Sequence, residues 1–375
     1  MSRRPRVLFV GRGRYRLPLP DWLTPKWDAV ADVLDFRLLG AASADSNGAD
    51  PRFRLDRPFP VAALDGIVFY LRLPMRVRSE IRRFDPAAVI ASDPVVGAAA
   101  LIGRRFSGRR PAVIVEVHGD WRTFTRSYGS RGRKLLARLV DGLAKQAVLR
   151  ADGTRAVSTF TERLVHEVRG APPTATFTAY TDLSAFTREP VAPLPETPTV
   201  LFVGALERYK NVEGLAAAWR LIATRVPESN LVIVGTGSQR DVVERLLIEF
   251  PGRVEHEPWL EPPAVAAALD RATVLALPSW PEGLGRVVIE AFARGRAVVG
   301  TDGGGIPDLV THGVEGFLVP PFDDRALADR LEQILRDPEL ASSLGAAAHT
   351  RFAEWDTSPA ELAVQFRELV DRTIR

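Results

Sequence analysis

The stretch TVLALPSWPEGLGRVVIEA, residues 273–291, shows most clearly the strand–loop–helix pattern that is found along the chain. It opens with an apolar run, Thr273 to Pro278, of the kind that forms a buried parallel strand. A loop with two glycines follows, and a second apolar run with helical spacing begins near Arg286. A strand, a glycine loop and a helix in this order predict one βα unit of a parallel sheet.

Two carboxylates flank the start of the predicted helix. Glu282 lies in the glycine loop, and Glu290 lies about two turns into the helix. A ligand above the helix N-terminus would meet both carboxylates and the backbone N–H groups between them. Carboxylates suit the hydroxyls of a sugar or ribose and bare amides suit a phosphate, so the pattern is typical of a nucleotide-sugar site. The alternative is a surface ion pair, because Glu290 stands four residues from both Arg286 and Arg294.

The alternation of strands and helices continues on both sides of this unit. In the second half, strands are predicted at 199–204, 230–235, 253–257, 273–278, 297–301 and 316–320, with helices at 212–225, 238–249 and 263–271. In the first half, strands are predicted at 6–10, 87–91, 112–117 and 153–158, with a helix from Ser130 to Leu149. The pattern predicts an α/β fold of two doubly wound, Rossmann-like domains that face each other across a ligand-binding cleft.

A proline-rich segment marks the predicted boundary between the domains. Residues 189–198 contain four prolines, which neither extend a helix nor sit in a central strand. We therefore expect an N-terminal domain at 1–190, a linker at 191–198 and a C-terminal domain at 199–355. The tail, residues 356–375, predicts an amphipathic helix with Leu362, Phe366, Leu369 and Val370 on one face.

The charge is distributed unevenly between the two halves. The net charge is +4, but residues 1–190 hold 32 Lys+Arg against 19 Asp+Glu, which gives +13, and the remainder gives −9. A basic first half suits an anionic acceptor or an anionic membrane surface, and the alternative is a solvated arginine-rich surface. The absence of cysteine excludes disulfides and thiolate metal sites. No apolar run is long enough for a transmembrane helix.

Two further glycine-containing loops follow predicted strands of the second half. Gly300 to Asp308 holds three consecutive glycines before Pro307, which allows close backbone approach at a helix start, or simply forms a common strand–turn–helix junction. The loop after Gly204 carries Arg208 and Lys210, two cations that could neutralise a diphosphate leaving group. The alternative for this loop is a solvated basic turn.

A third turn, Gly235-Thr236-Gly237, raises a different function class. A G-x-G-x-x-G turn followed by an acidic residue about twenty positions later is the fingerprint of dinucleotide binding. Here Arg240 replaces the third glycine, although Glu255 and Glu257 lie near the expected distance. A dinucleotide-dependent oxidoreductase is therefore the alternative function.

His118 ends a predicted strand in the basic half and precedes Gly119-Asp120. It is a candidate acid/base or hydrogen-bond donor in the cleft, and a structural histidine is the alternative. The other histidines show no metal-ligand spacing, and no two aspartates stand two positions apart as in a metal-diphosphate signature. We expect neither a metal nor a cofactor.

Taken together, these motifs make the chain resemble the family 4 glycosyltransferases, which are retaining enzymes of the GT-B fold. The resemblance rests on four motifs in order: Gly204-Ala205-Leu206 with Lys210-Asn211, Gly235-Thr236-Gly237, Glu282-Gly283-Leu284-Gly285 with Glu290-Ala291, and Gly304-Gly305-Ile306-Pro307. The first half is similar more loosely, through Gly11, His118, Val157-Ser158 and the segment Asp182 to Phe186. The tail around Trp355 looks like the family's helix that crosses back to the first domain.

The resemblance implies an acceptor-binding N-terminal domain at 1–190 and a nucleotide-sugar-binding C-terminal domain at 199–355. It also implies a role for each matching residue. Glu290 would hold the ribose hydroxyls, Glu282 would contact the transferred sugar, and His118 would hydrogen-bond near the reacting sugar. Lys210 and Arg208 would offset the diphosphate charge. The other implied donor contacts are Gly11, Gly204, Gly283, Leu284, Gly285, Gly304, Gly305, and, near the base, Trp259 and Leu260.

The implied activity is transfer of a sugar from a UDP- or GDP-sugar to a hydroxyl acceptor with retention of configuration. The acceptor class stays open between a lipid-linked sugar, a glycan and a small molecule, and nucleic acid is not expected. One residue departs from the family: Ala205 stands where an arginine is usual, which keeps a non-catalytic binding or membrane-docking protein as another alternative.

The implied location is cytoplasmic, with peripheral association at the inner face of the membrane as a hypothesis. The segment Leu71 to Phe84 is basic and partly apolar, which suits docking on anionic lipid. The supporting cations are Arg122, Arg126, Arg131, Arg133 and Lys134.

Overall fold

A computed structural model describes residues 4–122 and 131–375, with only the backbone of residues 62, 63 and 131–136. The chain divides into two compact units, Met1–Tyr180 with Thr357–Arg375, and Thr181–Asp356. Each unit is built on a parallel sheet with helices between most successive strands, as the alternating pattern predicted.

The first unit contains a seven-stranded sheet in the order β3-β2-β1-β4-β5-β6-β7. Its strands are β1 (Arg6–Tyr15), β2 (Asp35–Ala42), β3 (Phe53–Asp56), β4 (Ala88–Ala91), β5 (Ala112–Val117), β6 (Gly153–Ala156) and β7 (Ala175–Thr176). Its helices are α1 (Thr24–Val33), α2 (Ala62–Phe84), α3 (Pro94–Arg105), α4 (Arg131–Arg150) and α5 (Thr159–Arg169). The chain reverses its winding direction between β1 and β4, and the carboxyl ends of strands at such a point form a ligand crevice.

The structure corrects the first strand. The sequence predicted a strand ending at Val10 and a turn at Gly11, but β1 continues to Tyr15. Its pairing with β2 shifts register between Val10 and Arg14, so the two glycines between them accommodate a bulge within the strand. Gly11 therefore lies inside the strand, with Ser92 beside it.

The second unit contains a six-stranded sheet in the order β10-β9-β8-β11-β12-β13. Its strands are β8 (Thr199–Val203), β9 (Asn230–Val234), β10 (Val254–Glu257), β11 (Val274–Leu277), β12 (Ala297–Thr301) and β13 (Gly316–Val319). Its helices are α6 (Ser184–Thr187), α7 (Val212–Arg225), α8 (Arg240–Glu249), α9 (Pro262–Asp270), α10 (Arg286–Ala293), α11 (Ile306–Leu309), α12 (Asp324–Arg336) and α13 (Pro338–Phe352). Here the winding reverses between β8 and β11.

The predicted domain boundary at residue 190 differs from the observed division after Tyr180. Leu183 and Phe186 are buried in the core of the second unit, although the sequence assigned them to the first domain. The proline-rich segment is also held to this unit. Arg294 donates to the carbonyls of Glu189 and Pro190, and Arg296 donates to those of Ala192 and Pro193.

The C-terminal helix α14 (Pro359–Ile374) belongs to the first unit. The apolar face that the sequence indicated is buried, with Phe366 packed edge-on against Phe9 at a centroid distance of 5.4 Å. Ser358 caps the helix by accepting from the backbone N–H of Glu361. The tail thus completes the core of the first unit.

Candidate active site

The centre of the candidate site is an ion pair between two loops of the second unit. Lys210 follows β8 and Glu282 follows β11, the two neighbouring strands between which the winding reverses. The Lys210 Nζ lies 2.5 Å from Glu282 Oε2, and the two side chains are only 11% and 14% exposed. The pair lies where an open α/β sheet binds its ligand.

Hydrogen bonds fix these two loops against each other and the Glu282 loop against the end of β12. The Trp280 N–H donates to the Tyr209 carbonyl at 2.5 Å, and the hydroxyl of Thr301 donates to the Ser279 carbonyl at 2.6 Å. Asn211 ends the Lys210 turn with a positive φ of 52° and caps α7 through the Gly214 N–H. The positions of both charged side chains are therefore set by main-chain geometry.

The glycines before α11 pack against the Glu282 loop. A Cβ at Gly304, whose φ is +64°, would lie 2.3 Å from the Glu282 carbonyl oxygen. A Cβ at Gly305 would lie 2.3 Å from the Gly283 carbonyl oxygen, and the Gly305 N–H donates to the Glu282 carbonyl at 2.9 Å. These glycines thus allow close approach of a neighbouring loop. That Gly304 and Gly305 also let the backbone approach a bound donor stays a prediction.

Glu290 is buried, with a relative exposure of 6%. It lies one turn into α10, rather than two, and accepts from Arg286 Nε at 3.1 Å. Of the two arginines four residues away, Arg286 is an ion-pair partner of Glu290, whereas Arg294 contacts Asp270. The alternative of a surface ion pair therefore holds for the pairing with Arg286 but not for the surface position. Burial raises the pKa of the Glu290 carboxyl, and the charge of Arg286 opposes that shift. A buried carboxyl with one exposed partner is typical of functional sites.

The start of α10 offers backbone N–H groups beside the two carboxylates. Gly285 precedes the helix with a φ of +93°, and no side chain caps the helix start. The first N–H groups of a helix have no intrahelical partner, and the helix dipole there favours an anion. Gly283, Leu284 and Gly285 connect this helix start to Glu282, as the sequence predicted.

The Gly235 turn is occupied by protein contacts. A Cβ at Gly235 would lie 1.9 Å from the Gly204 carbonyl oxygen, and the Gly235 carbonyl accepts from His256 Nε2. Glu207 accepts from the N–H and the hydroxyl of Ser238 at the start of α8. Because a carboxylate already stands where a dinucleotide phosphate would sit, the turn does not fit the dinucleotide fingerprint.

The remaining predicted residues of this unit lie at more exposed positions. Arg208 and Ala205 are exposed, and the Trp259 side chain is 67% exposed. Leu260 is partly buried against the apolar core. A Cβ at Gly204 would make only ordinary contact with Lys210.

His118 lies in the first unit, directly after β5. Its Nε2 is 3.6 Å from Glu116 Oε2, and its side chain is 41% exposed. Glu116 also pairs with the fully buried Arg155. Burial opposes ionisation of Glu116, but Arg155 and His118 outweigh it and lower the pKa to about 2. The sequence did not lead us to the Glu116–Arg155 pair, although a charged residue within a predicted buried strand could have indicated it.

The cations proposed for lipid docking are only partly described. Arg122 donates to Asp120 at 2.8 Å and lies 3.7 Å from Glu167, so its charge is largely compensated. Arg126 and the side chains of Arg131, Arg133 and Lys134 lie outside the described residues. Within residues 4–122 and 131–375, no helix is both long and apolar enough to cross a bilayer. The same residues hold no cluster of three side chains that could ligate a metal.

Two family models match consecutive parts of the chain. The model described as glycosyl transferases group 1 matches residues 185–351, and the model of glycosyltransferase family 4 matches residues 32–180. The chain belongs to glycosyltransferase family 4. This finding confirms the resemblance that the four motifs indicated, and with it the GT-B fold of two Rossmann-like domains.

Curated relatives are similar over about half of their length. An alpha-D-kanosaminyltransferase of Streptomyces kanamyceticus is 30% identical over 187 residues, which cover 47% of both chains. A D-inositol 3-phosphate glycosyltransferase of Corynebacterium glutamicum is 30% identical over 186 residues, or 46% of this chain and 44% of that protein. The chain thus spans about half the length of the relatives it matches.

Solved structures share the fold over nearly the whole chain. A sucrose-phosphate synthase of Thermosynechococcus elongatus has a TM-score of 0.75 at 22% identity and 97% coverage of both chains. The Anabaena HepE protein, solved in complex with UDP and glucose, has a TM-score of 0.70 at 18% identity and covers 98% of this chain and 99% of its own.

Proposed function

We propose that the chain transfers a sugar from a UDP- or GDP-sugar to a hydroxyl acceptor, with retention of anomeric configuration. The observation that supports this proposal best is the Lys210–Glu282 pair beside the uncapped start of α10 and the buried Glu290. One cation, two carboxylates and a set of backbone N–H groups match the diphosphate, the sugar and the ribose of such a donor.

Each group has a distinct task in the proposed reaction. Glu290 binds the ribose hydroxyls, and Glu282 orients the transferred sugar. The bond between the anomeric carbon and the diphosphate oxygen breaks, and Lys210, Arg208 and the N–H groups of α10 stabilise the departing negative charge. The acceptor hydroxyl attacks from the same face, and its proton passes to the leaving phosphate oxygen. We propose that these cations and N–H groups take the place of a metal ion.

The proposal for His118 rests on the family resemblance. It donates a hydrogen bond near the reacting sugar, and Glu116 holds the ring in place. Product stereochemistry tests this assignment. A product with inverted configuration would contradict the same-face mechanism and make His118 the general base.

The test of the activity is a donor screen. The chain is incubated with UDP- and GDP-sugars, and release of nucleoside diphosphate is followed with the wild type, Glu282→Gln and Lys210→Met. We expect hydrolysis with one nucleotide class and a loss of roughly 100-fold in either variant, the magnitude of one lost transition-state contact. Glu249→Gln, in the exposed Arg220–Glu249 pair, is the matched control. Equal hydrolysis in all variants would favour a non-catalytic protein, and tight nicotinamide-dinucleotide binding would favour an oxidoreductase.

We propose in addition that α2 docks on an anionic membrane surface. The helix buries Phe69, Leu73, Val77 and Ile81 against the sheet. On its outer side, four apolar residues are 44–74% exposed at helical spacing: Leu64, Ile67, Leu71 and Met75. An apolar stripe on a domain of strongly positive charge is typical of interfacial helices.

Sedimentation with liposomes tests the docking proposal. We expect binding to phosphatidylglycerol vesicles at low salt, weaker binding to phosphatidylcholine vesicles, and a loss of binding in Leu71→Glu. The control is Ile248→Glu, which changes an 82% exposed side chain of the second unit. Unchanged binding in Leu71→Glu, or no binding of the wild type, would contradict docking through α2.

A further inference from the structure

The first unit contains a cavity of about 180 Å³ at the carboxyl ends of its central strands. Its wall includes Gly11 of β1, Ser92 after β4, and Arg155 of β6. The cavity thus opens at the point where the winding of this sheet reverses, which is where doubly wound sheets bind ligands. Its volume is below the roughly 300–1,000 Å³ of a site that encloses a whole drug-sized molecule. It therefore suits one end of a ligand.

Lys26 brings an uncompensated positive charge to this cavity. It lies in the first turn of α1, and its Nζ is 4.7 Å from the centroid of the Trp27 ring. Among residues 4–122 and 131–375, no carboxylate lies within ion-pair distance of this ammonium group. The first turn of a helix disfavours a cation, and the first turn of α1 contains no acidic residue.

The other charged groups of the cavity wall compensate each other. Glu116 accepts from Arg155, and Arg155 also donates to the carbonyls of Phe177 and Thr178. His118 lies 3.6 Å from Glu116. The charges of Glu116 and Arg155 therefore cancel, and the positive charge of Lys26 is left without a paired counter-charge.

The cavity wall is also rich in hydrogen-bond donors. The buried indole N–H of Trp27 has no partner in the part of the chain that the structure describes. Burial, with a smaller effect of Glu116, raises the pKa of Tyr15 to about 12, so its hydroxyl stays protonated. The Tyr15 hydroxyl and the Lys26 ammonium group therefore both offer hydrogen bonds to a ligand with acceptor oxygens.

We propose that this cavity binds an anionic group of the acceptor, a phosphate monoester or a carboxylate, with Lys26 as its counter-ion. The identification of the ligand as the acceptor rests on the proposed function. Binding of the anion requires no nucleotide sugar, so anion binding in this cavity and the proposed transfer activity can be tested and refuted separately.

The lowered pKa of Lys26 fits this assignment. Burial and, to a smaller extent, Arg155 lower its pKa to about 8, against an opposing effect of Glu116. Burial thus disfavours the ammonium form, which gains an attractive partner when an anion binds. Anion binding should consequently weaken as the pH rises through about 8. The other charged and titratable groups that line the cavity with Lys26 are Tyr15, Glu116, His118, Arg155 and Tyr180.

Lysine footprinting tests the proposal on the full chain. The sequence holds only four lysines, at 26, 134, 145 and 210, so their modification by acetic anhydride at pH 8 can be followed peptide by peptide. Glucose 6-phosphate, glucuronate and glucose serve as probes at equal ionic strength. At ten times the dissociation constant, we expect the phosphate or the carboxylate probe to slow modification of Lys26 about tenfold. Glucose should have no effect, and the exposed Lys145 is the internal control.

The two charged probes distinguish a phosphate from a carboxylate site. Calorimetry with the better probe should show binding to the wild type and to Lys26→Arg, and loss of binding in Lys26→Gln, with Lys145→Gln as the matched control. No protection by either charged probe, or equal protection by glucose, would overturn the proposal. UDP and GDP titrations of the same preparation test the proposed function independently, because nucleotide binding by the second unit does not depend on Lys26.

Discussion

The Lys210–Glu282 pair allows the structural and catalytic parts of the account to be separated. Removing one partner of a buried ion pair leaves an uncompensated charge and costs about 3–5 kcal/mol. Both side chains retain slight exposure, 11% and 14%, so we expect the lower end of this range, about 3 kcal/mol, for Lys210→Met. The double variant Lys210→Met/Glu282→Gln removes both charges, and we expect it to lose only about 1 kcal/mol.

Hydrogen exchange measured by mass spectrometry gives the free energy of unfolding for this unit alone. The reporting peptides are those of β8 and β11, whose buried amides exchange when the unit opens. The control is Glu249→Gln, because its partner Arg220 and Glu249 itself are 42% and 41% exposed. Such an exposed pair contributes about 0–1 kcal/mol.

Activity should respond differently from stability. The double variant should regain most of the stability lost in Lys210→Met but none of the transfer activity, because both proposed donor contacts are missing. The reasoning would be refuted if Lys210→Met cost no more than the Glu249→Gln control. It would also be refuted if the two substitutions added without compensation.

Three further predictions concern single positions in the second unit. Glu290→Gln should raise the stability of the protein more at pH 8 than at pH 5. The pKa of Glu290 is raised in the folded protein, so the wild type loses stability as the pH rises above the ordinary carboxyl value of 4.5, whereas the neutral variant does not. An equal difference between variant and wild type at both pH values in thermal unfolding would contradict this. Gly304→Ala should destabilise by about 1–3 kcal/mol more than Gly313→Ala, since both have positive φ but only Gly304 meets backbone atoms; equal losses in urea unfolding would sink the packing argument. Arg208→Gln should lower donor hydrolysis, and Ala205→Arg should restore part of it in the double variant; steady-state kinetics without recovery would show that the two positions do not serve the same charge.

The regular elements of the second unit were predictable from the sequence. Runs of β-branched residues between glycine turns placed β8 to β13 within about one residue of their observed ends. In the first unit, β2 reads DFRLLGAA, which has no regular alternation, and β3 reads FRLD, which alternates over only four residues. Their strand character depends on pairing with β1 rather than on local composition. The sequence therefore missed them.

The sequence selected residues for the candidate site but not their geometry. The sequence selected Lys210 and Glu282 separately, whereas their contact joins positions 72 residues apart through the order of the strands. It interpreted Gly304 and Gly305 as a surface for a ligand, whereas their close neighbours are backbone atoms of the Glu282 loop. Burial of Glu290 depends likewise on the packing around α10, which no spacing of arginines reveals.

The central claim is that the second unit binds a nucleotide through its ribose, and a binding cycle tests it most directly. Calorimetry compares UDP and GDP with their 2′- and 3′-deoxy analogues on the wild type and Glu290→Gln. We predict that Glu290→Gln and removal of the ribose hydroxyl each weaken binding roughly tenfold or more, as loss of a charge-assisted hydrogen bond of about 1.5–3 kcal/mol requires, and that the two losses do not add. Equal nucleotide affinity in wild type and variant, or fully additive losses, would contradict the account.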